Sequence, residues 1–66
     1  MKIVLNGIER DLDAATSLAQ LLESTGYGER RVAVEINLEI VPRSRYDVCL
    51  IKADDRIEIV HAIGGG

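Results

Sequence analysis

The residues best placed to do chemistry in this sequence stand at its end. Ile59-Val60-His61-Ala62-Ile63-Gly64-Gly65-Gly66 runs from a strand-like alternation into three glycines and a terminal carboxylate. At an average glycine usage of roughly 7%, three in a row at a given place arise about 3 times in 10,000. A frayed end is the plain alternative, because termini are where disorder collects. The sharper expectation is that the carboxylate of Gly66 is itself the functional group. Glycine lacks a Cβ, so a Gly64-Gly65-Gly66 thread can enter a narrow channel and bring its backbone close to a reactant. Extended at about 3.3–3.6 Å per residue, the chain from Val60 to Gly66 reaches roughly 20 Å. A carboxylate is a poor acyl donor until its oxygen becomes a good leaving group, for example by adenylation with ATP. Ile63, Gly64 and Gly65 are then the segment that lies in a partner's channel, and Gly66 is the residue modified there.

Other candidates are sparse. His61 is the single histidine, and no Cys/His or Ser/His/Asp set stands at suggestive spacing, so catalysis by the chain itself is not expected. Packing of the tail or contact with a partner is the reading for His61. Cys49 is the single cysteine, cannot close an internal disulfide, and reads as a small core residue. Asp54-Asp55 lack the further ligands of an oxygen-donor metal site and read as solvated turn residues. No metal and no bound cofactor are expected; any ATP belongs to the partner that activates the tail.

The elements that must hold this tail follow from pattern. Lys2-Ile3-Val4-Leu5 and Ile8 to Leu12 read as strands joined by Asn6-Gly7, the residue pair of a type I′ hairpin turn. Leu18, Leu21 and Leu22 fall at i, i+3 and i+4, one stripe of an amphipathic helix of about two to three turns. Thr16 or Ser17 caps its start; with Ser17, Gln20 completes a capping box. Gly26 supplies the left-handed stop. Gly28 to Arg31 reads as a loop, and Val32-Ala33-Val34-Glu35-Ile36 alternates as a strand with Glu35 toward water. Asn37-Leu38-Glu39 turns the chain into Ile40-Val41, and Pro42 ends that piece. Arg43 to Asp47 is polar, irregular or a single helical turn. Val48-Cys49-Leu50-Ile51 is a further apolar run, Lys52 to Asp55 a turn, and Arg56 to Val60 the last strand. In that strand Ile57 and Ile59 point inward and Glu58 and Val60 outward, which makes Val60, with His61 beside it, a candidate docking surface.

Size and charge bound the rest. The chain has 66 residues, 47% of them hydrophobic, with no Phe or Trp, so one domain must build its core from Ile, Leu, Val and Ala. Eight basic and 11 acidic side chains give a formal charge of −3, against the basic patch that nucleic acid requires. Three apolar residues between Lys2 and Asn6 are too few for a signal peptide, and no run approaches the ~18 of a membrane span. A cytoplasmic address and a monomer when free are the expectations. Short strands cannot bury both faces, so the helix covers one face of a single sheet, with the first and last strands as central, parallel neighbours. The result is α+β, a ubiquitin-like β-grasp with a mixed sheet of about four to five strands. Its body spans about 1–60, and an extended, flexible tail spans about 61–66.

Two stretches carry a family resemblance. Ala33-Val34-Glu35-Ile36-Asn37-Leu38-Glu39-Ile40-Val41-Pro42-Arg43 and Asp55 to Gly66 resemble the sulfur carrier proteins of thiamin biosynthesis, the ThiS family. The resemblance implies that a ubiquitin-activating-like enzyme adenylates Gly66 with ATP. A sulfur-relay protein, a cysteine desulfurase or similar, then replaces the AMP to leave a thiocarboxylate. Thiazole synthase takes that sulfur into the thiazole ring. One departure is Asp54, where the family commonly has Gly; Asp tolerates the left-handed conformation better than most residues. The nearest alternative is the small subunit of molybdopterin synthase, which resembles this chain less around Val41-Pro42-Arg43 and commonly carries Pro before its glycines. A ubiquitin-like protein modifier, or a plain interaction module, would share the same body.

Overall fold

A computed structural model describes residues 1–28 and 31–61. The described elements are β1 (Lys2–Leu5), β2 (Ile8–Asp11), α1 (Leu18–Ser24), β3 (Val32–Ile36), β4 (Glu39–Val41), a 3₁₀ turn over Arg43–Arg45, and β5 (Arg56–His61). Five strands form one sheet in the order β2-β1-β5-β3-β4. β1 and β5 run parallel, and the other neighbours are antiparallel. The first and last strands are therefore the central, parallel neighbours that the order of elements predicts. No helix among the described residues is long and apolar enough to cross a membrane.

The core lies between α1 and one face of the sheet. It consists of Ile3, Leu5, Leu18, Leu21, Leu22, Val34, Ile51, Ile57 and Ile59, all buried. Strand residues enter it by alternation and helix residues by the i, i+3, i+4 stripe. β2 is an exposed edge; Ile8 keeps 63% of its surface in water, so the second strand shields the core less than its pattern suggests.

Both ends of the helix are closed by groups the sequence names. Ser17 Oγ accepts from the Gln20 N–H and Gln20 Oε1 from the Ser17 N–H, the full capping box. At the other end Gly26 has φ +86°. Gly26 N–H donates to the Glu23 carbonyl and Tyr27 N–H to the Leu22 carbonyl, the pair of bonds that defines a Schellman ending.

The run Val48-Cys49-Leu50-Ile51 does not become a strand of the sheet. Among the described residues it makes one isolated β-bridge, Leu50 to Ser17, in place of a ladder, and Val48 and Leu50 are 65% and 56% exposed. The reason lies in where the backbone groups go. The first N–H groups of a helix have no partner inside it. Here Leu18 N–H donates to the Cys49 carbonyl and Ala19 N–H to the Tyr46 carbonyl, at 2.8 and 3.0 Å. Of the four apolar residues only Ile51 is core; Cys49 is half-buried and packs against it.

Candidate functional site

The tail leaves the body from β5, so the site begins with what fixes that strand. β3 pairs with it along its length, from Ile36 opposite Ile57 to Val32 opposite His61. β1 covers only its first part, Val4 opposite Arg56 and Leu5 opposite Ile57. Beyond Leu5 the chain turns away at Asn6-Gly7, which would leave the Ile59 N–H without an acceptor. Asn6 Oδ1 takes that role at 2.8 Å, standing in for a carbonyl of a longer β1. The positive φ of Asn6 (49°) and Gly7 (83°) is the type I′ geometry that Asn-Gly predicts, and it aims the Asn6 side chain at β5.

The second hairpin repeats the device on the other side. Asn37 and Leu38 both have positive φ, 53° and 70°. Asn37 Oδ1 accepts from the Arg56 N–H at 3.0 Å, and its Nδ2 donates to Asp55 Oδ1 at 3.0 Å. Asp55 Oδ2 accepts from the Lys52 N–H at 2.8 Å. Asp55 is accordingly buried, at 9% exposure, which corrects the expectation that both turn carboxylates are solvated. Asp54 is the exposed one, and its φ of 69° is left-handed, a conformation that Asp tolerates better than most residues.

At the strand's far end the two candidate docking residues separate. Val60 points away from the helix and is 58% exposed. His61, the next residue, points to the opposite face, where its ring lies 5.8 Å from that of Tyr27 at a tilt of 58°. The two therefore do not share one surface: Val60 belongs to the outer sheet face, and His61 packs beside the segment that follows the helix. Ile63, Gly64, Gly65 and Gly66, the expected channel segment and modified residue, lie outside the described residues. The side-chain staples from Asn6, Asn37 and Asp55 do not follow from the apolar pattern of the chain. The available signal was asparagine at both left-handed turn positions, whose short amide reaches nearby backbone.

With this frame in place, comparison with known proteins gives its kinship. A model of the ThiS family matches residues 3–66, from the first strand through the terminal glycines. The chain belongs to the ThiS family. The crystal structure of the thiamine biosynthesis protein ThiS from Geobacter metallireducens superposes with a TM-score of 0.86 at 28% identity, covering all of both chains. The ThiS fold of one helix on a five-stranded mixed sheet, the ubiquitin-like β-grasp, is thus the fold of this chain. A thiazole synthase of Paramagnetospirillum magneticum is 48% identical over 66 residues, all of this chain and 20% of the relative. The ThiS-family chain spans about a fifth of the length of the thiazole synthases it matches. The uncharacterized protein ycf40 of Porphyra purpurea is 30% identical, with 93% of its length covered.

Proposed function

We propose that this chain is the sulfur carrier of thiamin biosynthesis, with the carboxylate of Gly66 as its working group. A ubiquitin-activating-like enzyme adenylates Gly66 with ATP, releasing pyrophosphate. The outer sulfur of a cysteine persulfide on a relay protein, a cysteine desulfurase or similar, displaces AMP to form an acyl disulfide, and a second thiol cleaves the S–S bond to leave a disulfide and the thiocarboxylate. That group is a soft nucleophile on a slim tether, so it delivers sulfur to thiazole synthase without releasing free sulfide. The chain is a co-substrate in this scheme, and the catalytic groups and the ATP site belong to its partners.

The observation that carries the reading is the family match, which runs unbroken from the body to Gly64-Gly65-Gly66. Identity of 48% to a segment of a protein named thiazole synthase supports that enzyme as the acceptor. The body's contribution is to hold the root of the tail: β5 is bonded on both sides and tied by two asparagines, so the tail starts from a fixed point.

Complementation tests the reading. In a bacterial strain that lacks its own carrier and requires thiamin, this chain restores growth without thiamin. The Gly65→Leu variant does not, because a branched side chain blocks the thread from the activating channel. Its thermal midpoint matches that of the parent. Growth supported equally by Gly65→Leu contradicts the narrow-channel mechanism.

A further inference from the structure

The two edges of the sheet differ in what they offer a neighbour. β2 and β4 each pair on one side alone, so each leaves backbone N–H and C=O groups open to water. In β2 those groups belong to Glu9 and Asp11. The two-residue Asn6-Gly7 turn makes Leu5 and Ile8 a hydrogen-bonded pair, and the alternation of an antiparallel ladder then sends the groups of Glu9 and Asp11 outward. Antiparallel pairing of two copies about either residue sets acid against acid, which blunts this edge.

β4 carries no such guard. Its turn is also two residues, Asn37-Leu38, so Ile36 and Glu39 form the hydrogen-bonded pair and the N–H and C=O of Ile40 point to the open edge. Outside the ladder neither group has a backbone partner among the described residues. The Ile40 side chain is 74% exposed and that of Leu38 88%. Glu39 and Val41 alternate to the helix side, where both line an open cleft under the edge. Arg45 lines the same cleft. Among the described residues the ion pair is Lys2 with Glu9, so neither Glu39 nor Arg45 is neutralised within the chain.

We propose that β4 pairs edge to edge with β4 of a second copy, antiparallel and in register about Ile40. Residues that face each other across a ladder share a sheet face, so Ile40 meets Ile40, Glu39 meets Val41, and Leu38 meets Pro42. The Ile40 pair exchanges both backbone bonds, and the two isoleucines cover each other. Glu39 of each copy arrives beside Val41 of the other, at the cleft that Arg45 lines, so opposite charges meet on both sides of the two-fold axis. Pro42 has no N–H and ends the pairing, and the acids of β2 guard the far edge, which makes a closed dimer and not a fibre. β4 is two strands from β5, so the ends of the two β5 strands lie at opposite ends of the joined sheet, clear of the interface. The proposal stands apart from the carrier reading and sets aside the monomer expected of the free chain.

Sedimentation equilibrium of the full chain tests this, from about 10 μM to about 1 mM, since so short a pairing belongs to the weak class of interface. The parent is expected to pass from monomer to dimer over that range, and the Ile40 amide to gain protection from hydrogen exchange as it does. Glu39→Arg or Arg45→Glu alone sets like charges together and weakens the dimer roughly tenfold. An equimolar mixture of the two variants regains the parent's affinity, because the reversed charges meet with opposite sign on both sides of the axis. Both positions are exposed, so the circular dichroism of each variant matches that of the parent. A parent that stays monomeric at the top of the range overturns the β4 interface. So does a dimer that neither variant weakens, or a mixture no tighter than the variants alone.

Discussion

Left-handed backbone outside glycine is concentrated at the turns that meet β5. Asn6, Asn37 and Asp54 adopt it with short polar side chains, which tolerate it best, and two of them use the same side chain to hold the strand. Ala15, in the loop before the helix, and Leu38 adopt it without a polar side chain; Leu38 is the one beside β5. Its φ is 70°, and its side chain is 88% exposed, so burial gives little back for the strain. Leu38→Gly creates the Asn-Gly turn already present at Asn6-Gly7 and is expected to stabilise the fold by about 0.5–1 kcal/mol, read from denaturant midpoints. Asp55 shows the limit of reading single residues from sequence. Its partner Asn37 lies 18 positions away, and nothing local distinguishes it from Asp54, yet one is buried and bonded and the other is not.

At the scale of elements, local chemistry and periodicity were a sufficient guide wherever an element closes on itself. The Asn-Gly hairpin, the Ser17–Gln20 capping box, the Gly26 stop and the alternation of β3 and β5 all follow from neighbours a few residues apart. Val48 to Ile51 was less legible because its apolar composition suits a strand while the Cys49 carbonyl serves the helix start, a tertiary choice that no local pattern records. The candidate docking residues Val60 and His61 are adjacent in sequence, and strand alternation puts them on opposite faces. Ser17 joins these two levels, since it caps the helix and pairs with Leu50. Ser17→Ala is expected to lower stability by about 0.5–2 kcal/mol, with the loss of helical signal and the loss of the Leu50 bridge occurring in one transition.

At the scale of the whole molecule, an aliphatic core of nine residues among those described carries the fold. At roughly 0.05–0.15 kcal/mol per residue, a domain of this length has only about 3–10 kcal/mol to lose. Ile57→Ala, at a position 1% exposed beneath the helix, removes about 2–5 kcal/mol and is expected to leave a large unfolded fraction at 37 °C by circular dichroism. Such a variant fails as a carrier for want of a body, whereas Gly65→Leu fails with its body intact, and the pair separates holding the tail from threading it. The central claim, that Gly66 carries the sulfur, is tested most directly by intact mass. The protein is incubated with ATP, a sulfur source and the adenylating enzyme, and its mass is compared with that of the form lacking Gly66. A gain equal to one oxygen replaced by sulfur, absent when Gly66 is deleted, is the predicted result. An unchanged mass, or a gain that persists without Gly66, contradicts the account.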